Sequence, residues 1–326
     1  MRNSTNHTFR SLLFVVIALV CALAMCLSLS ACGSSAPKAG TKDSFLQLTD
    51  KPFTAKGELG QKPTITFKTP YTVENFTYQT VQKGKGRAAK DGDMLCLQQI
   101  VYNPKTGKQI NSTWEAGKTG VCSTYLSEKS VQKGFYKLFK GMTVNSTVVL
   151  GVTSDSSSNA TSSANQEDYL LALTLTDARH MDLRATGSKV STIDPALPKV
   201  TLGKKGEPSI SGLTSYKSNG KLVSQTLLQG NGAAVKSSDS VTVQYKGWVL
   251  GGDASKPFDS SWKRGYPISF SLSGVIKGWR DGLAGKKVGS QILIIVPPDQ
   301  GYGSTAQTGI PANSTLVFVV DILAVN

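Results

Sequence analysis

The chain has 326 residues, 39% of them hydrophobic, and a formal net charge of +15. It holds two histidines, His7 and His180, which argues against a Ser-His-Asp or Cys-His nucleophilic mechanism and against a multi-histidine zinc site. The positive excess is mostly lysine spread along the chain, with no long basic run and no aromatic-basic interleaving. That pattern argues against nucleic acid as a partner and favours attraction to anionic lipid or wall polymer.

In chain order, residues 1–31 read as a secretion signal. Arg2 and Arg10 form its positive end, Leu12 to Leu29 its apolar core, and Leu29-Ser30-Ala31-Cys32 closes it with small residues. The last four resemble a bacterial lipobox. The resemblance implies that Cys32 is a lipidated mature N-terminus, with the protein held outside the cytoplasm and tied to the cell membrane by acyl chains. A retained transmembrane helix is the alternative, because the apolar run is nearly long enough to span a bilayer. Cys21 and Cys26 leave with the signal. Cys96 and Cys122 remain as one pair, either a disulfide or two buried thiols. No cysteine or histidine spacing suggests a metal, and no cofactor is expected. Residues 32–54 read as a tether, small and polar from Gly33 to Lys42, with a short ordered entry at Phe45 to Phe53 as the alternative for its second half.

The rest of the chain carries a repeat. Thr80-Val81-Gln82-Lys83-Gly84-Lys85-Gly86 matches Thr226-Leu227-Leu228-Gln229-Gly230-Asn231-Gly232. Ile110-Asn111-Ser112-Thr113-Trp114 matches Phe258-Asp259-Ser260-Ser261-Trp262, and Val131-Gln132-Lys133-Gly134-Phe135 matches Val275-Ile276-Lys277-Gly278-Trp279. The near-constant offset of roughly 146 residues implies duplication of a whole domain, not a short solenoid repeat. The units are residues 55–180 and 200–326. A linker at 181–199 joins them, where Pro195 and Pro198 oppose regular structure. Ser154 to Asn165, rich in Ser, Asn and Thr, reads as a loop.

Strand signals dominate. Val241, Val243 and Tyr245 alternate on one face, as do Leu316, Phe318, Val320 and Ile322, and Ile292 to Val296 is an apolar run stopped by Pro297-Pro298. One short helical face is marked by Val275, Ile276, Trp279 and Leu283, and its glycines make it a poor free helix. The pattern predicts α+β units, each a twisted antiparallel sheet wrapped on one short α-helix.

Four further motifs flank that helix: Val243 to Trp248, Phe258 to Ser261, Gly301-Tyr302-Gly303, and Ile310 to Phe318. Their residues and order resemble the FKBP family of macrolide-binding peptidyl-prolyl isomerases over residues 205–326. The repeat extends the likeness to the first unit, so two FKBP-like domains are expected. The resemblance implies an apolar pocket in the second unit with Trp279 as its floor. Tyr245, Phe258, Phe270, Val275, Ile276 and Phe318 would wall it, with Ile268 beside them and Ile310 closing the far side. The Ile276 N–H and the Tyr302 hydroxyl would bind ligand carbonyls, and Asp259 would stand at the rim. Pro267-Ile268 departs from a frequent aromatic, and Gln307-Thr308 stands near a position where some members carry histidine. The resemblance also makes neighbours of the strands that hold Cys96 and Cys122, which implies a disulfide.

The reaction so implied suits a chain with little histidine. Rotating an amide costs ~18–20 kcal/mol because resonance must be broken, and no proton transfer is needed. A dry, aromatic-lined pocket favours the twisted amide, which has lost its resonance dipole, over the planar one. The expected partners are proline-containing exported proteins and macrolide ligands. A non-catalytic proline-peptide-binding module or holdase is the alternative. In the first unit the repeat places Gln99, Asn111, Gln132 and Phe135 where the second has Tyr245, Asp259, Ile276 and Trp279, and the Tyr302 loop has no counterpart. Amides there would hold water, so the first unit is expected to be a spacer or client-binding domain without isomerase activity.

Overall fold

The computed structural model describes residues 39–116, 121–153 and 168–325. The expected signal, Cys32, the start of the tether and the Ser154–Asn165 loop lie outside the described residues. Among those described, no helix is long and apolar enough to cross a membrane. The chain divides into two compact units, Met1–His180 and Met181–Asn326.

The first unit contains β1 (Leu46–Gln47), β2 (Thr54–Lys56), β3 (Thr64–Thr66), β4 (Thr77–Gln82), β5 (Asp93–Tyr102), β6 (Gln109–Ser112), β7 (Val121–Tyr125), α1 (Lys133–Phe139), β8 (Thr147–Val152) and β9 (Tyr169–His180). Its sheet runs β1-β4-β8-β9-β5-β6, with β7 on the other half of β5, and β2–β3 form a separate hairpin. The second unit contains β10 (Ser188–Lys189), β11 (Lys199–Leu202), β12 (Pro208–Ser211), β13 (Val223–Gln229), β14 (Ser240–Val249), β15 (Asp259–Ser260), α2 (Ser261–Arg264), β16 (Ile268–Ser271), α3 (Lys277–Leu283), β17 (Gln291–Val296) and β18 (Leu316–Val325). Its sheet runs β10-β13-β17-β18-β14-β15 with β16 on β14, and β11–β12 form the hairpin.

The two paths are the same strand for strand, and so are their irregularities. A register shift falls between Thr80 and Gln82 in one unit and between Thr226 and Leu228 in the other. A second falls between Cys96 and Leu97, and between Thr242 and Val243. Irregularities of this kind bend a strand and set where its side chains aim, so both sheets are shaped alike.

Central strands are buried on both faces. In β18, Leu316, Phe318, Val320 and Ile322 pack with α3, while Val317 and Val319 join Trp248, Ile210 and Leu213 on the hairpin side. Fully burying a side chain such as Leu283 or Ile292 contributes about 1.5–3 kcal/mol, and this burial holds a helix too short to persist alone. The helix sits close because of Gly278, where a Cβ would lie 2.4 Å from Val296 Cγ1.

Two expected boundaries move. The tether was placed at 32–54, but Leu46–Gln47 pair with Thr77–Tyr78. Phe45 also stacks on Phe76 at 5.7 Å and meets Phe135 edge-on at 4.8 Å. The edge of β4 thus recruits the chain before it. The linker was placed at 181–199, but Ser188–Lys189 pair with Leu228–Gln229, and the Ala185 N–H donates to Asp321 Oδ2 at 2.9 Å. The two prolines lie beyond this stretch and leave it free to pair. The sheet of the first unit is also mixed, not wholly antiparallel, because β1 joins β4 in parallel. Cys96 and Cys122 face each other across β5 and β7 and are disulfide-bonded.

Candidate active site

The N-terminal end of α3 and the strands beneath it build the site. Ile276 is the N-cap in an extended conformation, and its carbonyl accepts the Trp279 N–H at 3.0 Å and the Arg280 N–H at 3.3 Å. Its own N–H makes no hydrogen bond among the described residues. One turn on, Trp279 is buried at 4% exposure, and three rings meet it nearly at right angles. Tyr245 from β14 stands 5.2 Å away, Phe318 from β18 at 5.3 Å and Phe270 from β16 at 5.5 Å between centroids. Phe258 meets Phe318 edge-on at 5.6 Å. Edge-to-face pairs at such separations contribute about 0.5–1.5 kcal/mol each beyond burial, so the rings hold one another in place. Val275, Ile276 and Ile310 pack against the same cluster.

One polar group borders this box. The Tyr245 hydroxyl donates to Asp259 Oδ2, Arg264 pairs with Asp259 Oδ1, and Arg264 Nη2 donates to the Tyr245 oxygen at 2.8 Å. The Ser260 N–H donates to Asp259 Oδ1 at 2.7 Å. Burial pushes the Tyr245 phenol well above its ordinary range, and its bond to Asp259 adds to this, so it stays neutral. For Asp259, burial alone would raise the carboxyl. The hydrogen bonds from Tyr245 and Arg264 and the Arg264 charge outweigh it, and Asp259 titrates below the usual range. The site thus offers an ionised carboxylate tied to a ring edge, above a floor of carbon.

A profile for "FKBP-type peptidyl-prolyl cis-trans isomerase" matches residues 232–323. "FKBP-type peptidyl-prolyl cis-trans isomerase FkpA" of Escherichia coli (strain K12) is 49% identical over 104 residues, covering 32% of this chain and 37% of that protein. The protein of the same name from Buchnera aphidicola subsp. Schizaphis graminum is 37% identical over 181 residues, covering 49% of this chain and 69% of its own length. The chain belongs to the FKBP-type peptidyl-prolyl cis-trans isomerase family. It spans 37% of the length of the first curated relatives it matches. A crystal structure of FkpA from Escherichia coli shares 42% identity, covering 39% of this chain and 51% of that one, with a TM-score of 0.30.

Within this FKBP site, Tyr245, Phe258, Phe270, Val275, Ile276, Trp279, Ile310 and Phe318 share one cluster, and Asp259 joins it through Tyr245. Tyr302 stands apart on its loop and is 41% exposed. Its backbone carbonyl accepts the Thr305 N–H at 3.1 Å in the turn that carries it. Ile268 is half-buried, pairs with Val243 on the edge strand, and is not packed into the cluster. Phe270, two residues on, packs into the cluster as expected. Arg264 was missed by sequence reasoning. Its signal was an arginine ending the short helix that begins just after Asp259, and nothing local showed that the turn would fold it back onto the carboxylate.

In the first unit β5 and β6 pair Val101 with Asn111, just as β14 and β15 pair Gly247 with Asp259. By this register Gln99 occupies the Tyr245 position. The same counting puts Thr124 at Phe270 and Leu171 at Phe318. Phe135 therefore lacks the ring partners of Trp279, and its ring neighbours are Phe45 and, at 5.7 Å, Phe139.

Proposed function

We propose that the second unit catalyses cis-trans isomerisation of X-Pro bonds in exported or surface proteins, and that macrolide immunophilin ligands occupy the same pocket. The observation that carries this is the aromatic box around Trp279, bordered by the Tyr245–Asp259–Arg264 group. A proline ring seated on Trp279 would be desolvated on several sides. Binding that favours the twisted amide over the planar one lowers the barrier, about 1.4 kcal/mol for each tenfold in rate. The free N–H of Ile276 and the exposed Tyr302 hydroxyl are the groups assigned to ligand carbonyls.

The whole protein reads as two FKBP-like domains on a lipidated Cys32, held outside the cytoplasm at the cell membrane. The matching strand order and register shifts support a common origin for the units. Loss of the aromatic partners at Gln99, Thr124 and Leu171 supports a first unit without isomerase activity. A protease-coupled proline-peptide assay on the chain from Gly33 onward tests the activity. Catalysis inhibited by a macrolide is expected, and a rate equal to the uncatalysed one would overturn it. Cys32→Ala should release the protein from the membrane fraction, and a variant that still sediments with membranes would argue for a retained helix.

A further inference from the structure

The helices α1 and α3 hold equivalent places but differ in charge. On α3, Asp281 accepts from Lys277 Nζ at 2.6 Å and from Arg280 Nε at 3.2 Å, so one carboxylate offsets part of the positive charge of the exposed face. On α1 the residue at the Asp281 position is Lys137, and the helix contains no acidic residue. Lys133, Lys137 and the C-cap Lys140 are spaced to share one face, and all three are exposed. Lys140 Nζ donates to the Tyr136 hydroxyl at 2.8 Å and lies 5.0 Å from the ring centroid. None of the three makes an ion pair among the described residues. Asp91 and Glu128 lie near Lys140, and neither closes a contact with it.

A second observation bears on where this face lies. The chain entering the first unit is fastened beside it. The Gly134 N–H donates to Lys42 O at 2.9 Å, and the Gly40 N–H donates to Asn75 O at 3.1 Å. Exposed Lys42 thus stands at the first turn of α1, with Asp43 its exposed acidic neighbour. From Cys32 to Gly40 the chain can reach at most about 28 Å, at ~3.5 Å per residue. A lipid on Cys32 would therefore hold this unit within that distance of the bilayer, where even weak contacts are occupied because the partner is tethered.

We propose that the α1 face carrying Lys133, Lys137 and Lys140, with Lys42 beside it, docks on anionic phospholipid headgroups of the membrane that anchors the chain. The source of the surface rests on the lipid-anchor reading, whereas the basic face stands without it. Docking would fix the first unit as a membrane-facing base and give a domain without the second unit's ring box a task that needs no pocket.

The test uses the unlipidated chain from Gly33 onward and sedimentation with vesicles of phosphatidylcholine, with or without phosphatidylglycerol. Binding is expected only to the anionic vesicles and should weaken steeply as salt is raised. Each lysine lost should lower partition about fivefold. The triple variant Lys133→Glu/Lys137→Glu/Lys140→Glu should therefore lose at least a hundredfold. Lys204→Glu/Lys205→Glu/Lys221→Glu, an equal change in net charge on the second unit, should lose less than threefold. Isomerase activity should be the same in all three proteins. Equal binding to neutral vesicles, equal losses in both variants, or binding to soluble polyphosphate but to no vesicle would overturn the proposal. Should the charge-reversed α1 variant misfold, Lys133→Gln/Lys137→Gln/Lys140→Gln, which removes the charge without reversing it, should still lose about a hundredfold, and no loss there would overturn the proposal. Because no lipid is attached, failure here is distinct from failure of the anchor, which fatty-acid labelling of Cys32 reads separately.

Discussion

The two units keep the same scaffold and differ in what fills it. In the second, the Tyr245 N–H donates to Ser261 Oγ at 2.7 Å, and that hydroxyl bonds the Gln244 side chain. In the first, the Gln99 N–H donates to Thr113 Oγ1 at 2.9 Å, and that hydroxyl bonds the Gln98 side chain. The Gly84 and Gly230 N–H groups each donate to a serine, Ser146 and Ser290, at 2.8 Å. Yet the three rings around Trp279 are replaced by an amide, a hydroxyl and a leucine. Backbone-directed hydrogen bonds are common to both units and the ring contacts are not, so the scaffold persists without the ring box.

The difference can be broken most severely at the floor. Trp279→Ala should cost about 3–5 kcal/mol of stability in the second unit and reduce proline-peptide turnover to background. Phe135→Ala should leave turnover unchanged, and a matched fall in both variants would mean that the units share the task. The next effect belongs to the first unit alone. Replacing Cys96 and Cys122 by serine opens a link across a sequence separation of 26, worth about 3 kcal/mol in the chain-entropy model. Denaturation should show the first unit melting earlier and the second unmoved.

A third test is pH. Burial pushes Asp321 up to about 6, against the hydrogen bonds from Ala185 and Gln291 and the charge of Arg184. The first unit has the neutral pair Thr147–Thr174 at the matching positions, 2.8 Å apart. A raised folded-state pKa means stability gained as pH falls from above 6 toward 4, and lost as it rises. The second unit should therefore be weaker at pH 8 than at pH 4.5 by roughly 2–3 kcal/mol from this group. Asp321→Asn should remove that slope, and an unchanged slope would clear Asp321. The smallest effect is Tyr302→Phe, which should weaken macrolide binding by about 0.5–1.5 kcal/mol, with no change in melting because the ring is exposed.

Much of this was legible in the sequence. Repeated motifs at one offset marked the matching helices, the apolar run before Pro297 marked the central strand, and the ordered motifs around Trp279 marked the ring cluster. What escaped depended on long-range partners. Arg264 reaches Asp259 only because α2 turns it back. The pairing of β1 and β10 was hidden because two-residue strands carry no periodicity. Ile268 and Phe270 share an alternation and were both expected at the pocket, and the packed sheet puts Phe270 alone in the ring cluster.

Those two short strands have a consequence for how the chain folds. Neighbouring repeats with like register invite exchange, in which a strand of one sheet completes the other. An open edge is where such exchange, or growth into aggregates, begins. Here each sheet takes the stretch just upstream of itself to cover its first long strand, β1 on β4 and β10 on β13. One cover runs parallel and the other antiparallel, so the two edges are closed in different ways. As synthesis proceeds, each sheet therefore has its own closing piece already made. A fragment cut at residue 200 would lose β10 and expose β13, whereas one cut at 181 would keep its edge sealed.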